Sequence, residues 1–95
     1  MGIEFQDVNL DGFTDIVLGT GGTLNEAKDL FIWYASSRNF TKVVFKGFDI
    51  LSYFEVYDGY IENWVKGSAY AGIIQKLVWN ANLLILESEE SYKLE

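Results

Sequence analysis

The stretch Tyr53-Phe54-Glu55-Val56-Tyr57-Asp58-Gly59-Tyr60-Ile61-Glu62-Asn63-Trp64-Val65-Lys66 decides the fold. Two runs of alternating character flank an Asp-Gly pair, the residue type that turns a chain in two residues, so the segment reads as a β-hairpin. Setting Tyr57 opposite Tyr60 places Val56 against Ile61, Glu55 against Glu62 and Tyr53 against Trp64. Because side chains alternate across a strand, Phe54, Val56, Ile61, Asn63 and Val65 share one face, which reads as core. The other face carries Tyr53, Glu55, Tyr57, Tyr60, Glu62 and Trp64 and is aromatic and acidic.

The same period of two recurs along the chain, with Gly, Asn, Asp and Ser between runs and no sustained helical spacing. Strands are expected at Gly2–Gln6, Thr14–Gly19, Asp29–Ala35, Phe40–Lys46, Tyr53–Tyr57, Tyr60–Lys66, Ala69–Trp79 and Leu83–Glu87. Further hairpin turns are expected at Ser36–Asn39 and Asn80–Asn82, and a turn of helix at Leu24–Asp29. The short connections predict an all-β domain, an antiparallel meander forming a small sandwich or strongly curved sheet. Residues 1–95 are expected to form one domain, excised from or ending a longer exported protein.

Composition excludes several chemistries. The 95 residues include no Cys, no His and no Pro, which removes disulfides, thiolate nucleophiles, imidazole bases and Cys- or His-ligated zinc. Any metal must be held by oxygen. Fourteen acidic against seven basic residues give a charge of −7, unsuited to a phosphate backbone and suited to cations or a basic partner. Nucleic acid is therefore not expected as a ligand. No apolar run is long enough to span a membrane, and no signal-peptide pattern is visible.

The strongest chemical signal is Asp7-Val8-Asn9-Leu10-Asp11-Gly12-Phe13-Thr14-Asp15. Side-chain oxygens at loop positions 1, 3 and 5, glycine at 6 and a carboxylate at 9 suit a hard cation such as calcium. Asp7, Asn9, Asp11 and Asp15 are the candidate ligands, with the Phe13 carbonyl at position 7. An EF-hand would place a bidentate Glu at position 12, but Leu18 stands there within Ile16-Val17-Leu18, so the loop joins two strands instead. It would pin their register, a structural role for calcium. The alternative is an Asx-rich turn without metal.

From Asp7 to Leu18 the chain resembles the Asp-x-Asn-x-Asp-Gly-x-x-Asp loop and following strand of FG-GAP-type repeats and of a family of bacterial cell-envelope proteins. That family includes immunity lipoproteins directed against type IV secretion peptidoglycan hydrolases, similar in fold to periplasmic lysozyme inhibitors. The likeness extends to Gly19–Thr23, Leu30–Tyr34 with Asn39-Phe40, Gly67–Tyr70 and Val78–Asn80. It implies calcium in the loop, a periplasmic, extracellular or lipoprotein-anchored location, and a basic, lysozyme-like hydrolase as partner.

Other features are weighed on their residues. Gly19–Thr23 lacks the Gly-Lys-Ser/Thr ending of a phosphate loop and reads as a flexible turn. Glu55 and Glu62, about 5 Å apart across a hairpin, match the separation used by retaining glycosidases. A single hairpin without a cleft is a poor support for that chemistry, so the pair reads as solvated and relieved by a nearby lysine, and the chain as a binding module. A sugar-binding platform of Tyr53, Tyr57, Tyr60 and Trp64 is the alternative. Phe31, Trp33, Tyr70, Ile74 and Trp79 read as core, and Glu87–Glu90 with Glu95 as a fraying acidic tail.

Overall fold

The structure, a computed structural model, describes residues 2–22, 26–68 and 70–93. Within them the chain forms β1 (Gly2–Gln6), β2 (Asp15–Gly21), β3 (Ala27–Tyr34), β4 (Asn39–Lys42), β5 (Val44–Lys46), β6 (Tyr53–Tyr57), β7 (Tyr60–Lys66), β8 (Ala71–Asn80) and β9 (Leu83–Lys93). The all-β expectation holds. The strands make two sheets, one ordered β1-β2-β3-β4 and one ordered β5-β9-β8-β7-β6.

The β6–β7 hairpin has the register read from its sequence, with Glu55 opposite Glu62 and Tyr57 opposite Tyr60. Its turn is tight because Gly59 takes a φ of 87°, where a side chain would be strained. Ile61 and Asn63 are fully buried, while Tyr53, Glu55, Tyr57 and Trp64 are exposed. One hydrophobic cluster draws on both sheets: Val17, Leu30 and Ile32 from the first, Ile61, Leu77 and Leu84 from the second, and Val8, Val43, Phe48 and Leu51 from connections. Each such fully buried aliphatic side chain contributes about 1.5–3 kcal/mol over its exposed form.

Phe40–Lys46 is not one strand. It breaks at Val43, which is buried, gives its N–H to the Leu30 carbonyl at 2.8 Å and carries the chain from one sheet to the other. Beyond the break, β5 runs parallel to β9, so the meander expectation fails at this edge. Residues 48–52 cap the core through Asn63. Its Oδ1 accepts from Ser52 N–H at 2.9 Å, and its Nδ2 donates to Ile50 O at 2.8 Å and Gln75 Oε1 at 2.9 Å.

Glu87–Glu90 are exposed, as expected, but they do not fray. Residues Glu87–Glu90 lie within β9, which pairs with β8 as far as Lys93; Glu95 lies outside the described residues. Tyr92 supplies the reason, its ring meeting Trp64 at 6.0 Å and lying over Gly72, where a Cβ would sit 2.9 Å from the ring. The turn of helix expected at Leu24–Asp29 falls partly outside the described residues, and Ala27–Asp29 are strand. The strand expected from Ala69 begins at Ala71, Ala69 itself lying outside the described residues. Tyr70 is 69% exposed rather than core. Phe31 and Trp33 point away from the core because Leu30 and Ile32 point into it, and Ile74 is only half-buried. Trp79 does pack against the core.

Candidate metal loop and aromatic cleft

The loop between β1 and β2 turns back on itself through Leu10 at φ 55° and Gly12 at φ 92°. The turn is tied by side-chain carboxylates accepting backbone protons. Asp7 accepts from Asp11 N–H at 3.2 Å and Gly12 N–H at 2.8 Å, and Asp11 accepts from Phe13 N–H at 3.0 Å. Carboxylate oxygens of Asp7, Asp11 and Asp15 lie within 4.8 Å of one another, the one such group among the described residues that could hold a metal ion.

Asp15 is anchored most firmly. It is fully buried and accepts from Val8 N–H at 3.0 Å and Trp33 N–H at 2.9 Å. Burial raises its pKa above the usual 3.8; those two hydrogen bonds oppose the rise, and the charges of Asp11 and Asp7 add to it. A bound cation would act on Asp15 in the opposite sense.

Asn9 decides whether the loop suits such an ion. Its Oδ1 is buried and meets no hydrogen-bond donor. Orphaned buried acceptors are uncommon, and a metal ligand is one of the roles that explain them. The donor set is oxygen only, as calcium or magnesium requires, and the residues present fit the ion. Phe13, whose carbonyl is the remaining candidate, has its side chain 46% exposed, outside the core.

The hairpin face lines an open cleft of about 740 Å³. Tyr53, Glu55, Tyr57, Glu62 and Trp64 form one side and Glu4, Gln6 and Lys28 join them from the first sheet. The absence of a cleft expected from the hairpin alone is thus corrected. Tyr60 stands apart: it stacks on Tyr57 with centroids 5.0 Å apart and borders a neighbouring depression with Glu62 and Lys76. Glu62 is held by Trp64, whose indole N–H donates to it at 2.7 Å. The lysine across the strand from Glu62 is Lys76, but its ammonium lies 3.4 Å from Glu87.

The field in the cleft is negative. It pushes the Tyr57 hydroxyl above its usual pKa of 10.0, chiefly through Glu62, then through burial, Glu55 and Tyr60. Lys28 is already committed, donating to Ser52 O at 2.9 Å with its ammonium 5.3 Å from the Tyr53 ring centre. Glu4, Gln6 and Lys28 could not be found from the hairpin sequence, since only the folding of β1 and β3 against it brings them there. The one signal was the alternation of Glu4 and Gln6 with Ile3 and Phe5.

Comparison of the chain with protein-family models, curated proteins and solved structures returns no match. Among the described residues, no helix is long and apolar enough to cross a membrane.

Proposed function

We propose that this protein is a calcium-stabilised, non-catalytic binding module of the bacterial cell envelope that receives a basic partner, such as a lysozyme-like hydrolase, in its aromatic cleft. The lining of the cleft carries this reading. Three carboxylates, Glu4, Glu55 and Glu62, stand among Tyr53, Tyr57 and Trp64, while two lysines, Lys28 and Lys66, are already engaged, each with its ammonium 5.3 Å from the Tyr53 ring centre. Carboxylates beside aromatic faces suit an arginine or lysine side chain, which gains from both charge and ring.

The loop serves the cleft indirectly. Asp7, Asn9, Asp11 and Asp15, with the Phe13 carbonyl, would hold the ion, which supplies positive charge among crowded carboxylates. β1 enters the loop at Gln6 and β2 leaves it at Asp15, and β1 also presents Glu4 and Gln6 to the cleft. Fixing the loop therefore fixes one wall. Calcium is favoured over magnesium because a site offering this many protein oxygens suits the ion that takes six to eight.

Two titrations test the reading. Terbium luminescence and calorimetry with calcium should report one site, lost in Asp11→Ala. The calcium-loaded protein should then bind a basic muramidase with an affinity that falls as salt rises, as for a charge-steered complex. Glu55→Gln with Glu62→Gln should weaken that binding, as should Tyr57→Ala with Trp64→Ala. Binding of chitooligosaccharides in place of the muramidase would transfer the cleft to a sugar ligand. Muramidase binding unchanged by both double substitutions would remove the cleft from the interaction.

A further inference from the structure

The four-stranded sheet has a second face, turned away from the core. Cross-strand partners share a face, so the registers Ile3↔Leu18, Phe5↔Ile16, Ile16↔Phe31 and Trp33↔Phe40 gather seven apolar side chains on one surface. Antiparallel sheets with one solvated face normally show polar residues there. Here Phe5 is 70% exposed, Ile3 63% and Phe40 43%, and Ile16, Leu18, Phe31 and Trp33 are half-buried among them. Trp33 and Phe40 already pack, with ring centres 5.0 Å apart.

The sequence of the two central strands carries the same message. Ile16-Val17-Leu18 and Leu30-Phe31-Ile32-Trp33 are apolar without alternation. That pattern belongs to strands covered on both faces. The core covers Val17, Leu30 and Ile32, and no residue of the core cluster lies on the opposite side of these strands.

Charge and area indicate what covers it. The protein carries −7, but this face holds a single acid and a single base, Asp29 and Lys42, paired with each other at 3.9 Å. A neutral face gives a charged partner nothing to select, and it is the surface on which two equally acidic molecules can meet with least repulsion. At roughly 200 Å² per large side chain, the three exposed side chains offer about 350 Å² of apolar surface, and the four half-buried ones bring the face to about 500 Å². Two copies face to face would bury about 1,000 Å², the lower bound for a specific interface and the size of a weak, concentration-dependent dimer.

We propose that the outer face of β1–β4 is a self-association surface, on which a second copy packs sheet against sheet about a two-fold axis. Phe5, Ile3 and Phe40 form its contact and the Asp29–Lys42 pairs its polar edge. It involves neither the acidic loop nor the cleft.

Sedimentation equilibrium between about 1 and 200 μM, with calcium and with chelator, should show the mass rising from 10.8 kDa towards twice that value. Added salt should strengthen association by screening the shared negative charge, the reverse of its effect on a basic partner. Phe5→Lys and Phe40→Lys, on opposite edge strands, should each weaken the dimer at least 30-fold, while Tyr57→Lys in the cleft leaves it unchanged. Amide NMR shifts followed through a dilution series of the unaltered protein locate the interface without relying on any variant; changes should concentrate in β1–β4. A mass of 10.8 kDa at every concentration overturns the proposal and leaves the face to a different chain. A dimer indifferent to both lysines, or shifts centred on β6–β9, overturns the assignment of the face.

Discussion

Replacing Asn9 by alanine should raise or preserve stability without calcium and shrink the stabilisation that calcium adds. In the chelated protein Asn9 Oδ1 is buried and meets no donor, a condition that costs about 1–3 kcal/mol. Alanine removes that cost and forfeits little packing, so the variant should melt at or above the parent. A full 1 kcal/mol would raise Tm by about 4–8 °C in a domain of this size. With free calcium at 100 times the Kd, the parent gains about 2.7 kcal/mol from binding. Losing even an indirect partner of a metal typically weakens a site about 10–100-fold. A direct ligand should lose at least that much, which lowers the calcium gain to between about 1.4 and 0.4 kcal/mol. Thermal unfolding by circular dichroism, run in EGTA and in calcium, reads both conditions. A loss of the same size in each buffer would falsify the assignment of Asn9 as a ligand, because it would mean that the oxygen has a partner within the protein. Asp15→Asn is the contrasting case. It disturbs the hydrogen bonds from Val8 and Trp33, and should therefore destabilise in both buffers.

Three further outcomes follow from contacts elsewhere. Asn63→Ala deprives Ser52 N–H and Ile50 O of their partner and should cost about 2–4 kcal/mol, with the earliest hydrogen-exchange losses at residues 48–52; unchanged protection there would contradict the role given to Asn63. Gly72→Ala forces a Cβ against the Val65 carbonyl and the Tyr92 ring, so a loss of about 1–3 kcal/mol should accompany the release of Tyr92 from Trp64 in side-chain NMR, and a fully stable variant would refute that packing. The Tyr57 hydroxyl is raised above 10.0 first by Glu62, so Glu62→Gln should lower its midpoint in a ¹³C-tyrosine pH titration; no movement of Tyr57 would mean that Glu62 does not govern its field.

What could be read from sequence depends on how far apart the interacting residues lie. The β6–β7 register follows from one turn and two adjacent runs, so its pairs are legible without the rest of the chain. The acidic loop is likewise local: nine residues bring Asp7, Asp11 and Asp15 together. Asp15's second task is not local, since its partner Trp33 lies 18 positions away. Val43 shows the same limit, because an apolar residue in an extended run gives no sign that it makes the last bond to β3, at Leu30, and that the next N–H, of Val44, will go to Asn82 beside β9. In β9, four residues of acidic composition suggest a fraying tail, and they are exposed, yet two non-local contacts of Tyr92 hold the strand in place.

The central strands of the first sheet present the opposite situation, in which the sequence carries more than the single-chain fold uses. Alternation tells a strand which face to bury, and Ile16-Val17-Leu18 and Leu30-Phe31-Ile32-Trp33 have none. Their partners choose the face: Val8, Leu51 and the second sheet complete a core with Val17, Leu30 and Ile32, and leave Ile16, Leu18, Phe31 and Trp33 on the far side. A one-residue slip would expose one apolar set and bury another of equal character, so hydrophobic burial alone discriminates weakly between the two registers. The discrimination comes from Asp15. Its carboxylate must lie inside to accept from Val8 and Trp33, and a slip would carry it to the outer face, away from both donors and from Asp7 and Asp11. The acidic loop therefore sets the register of the sheet, and through it which apolar face is left for a second molecule.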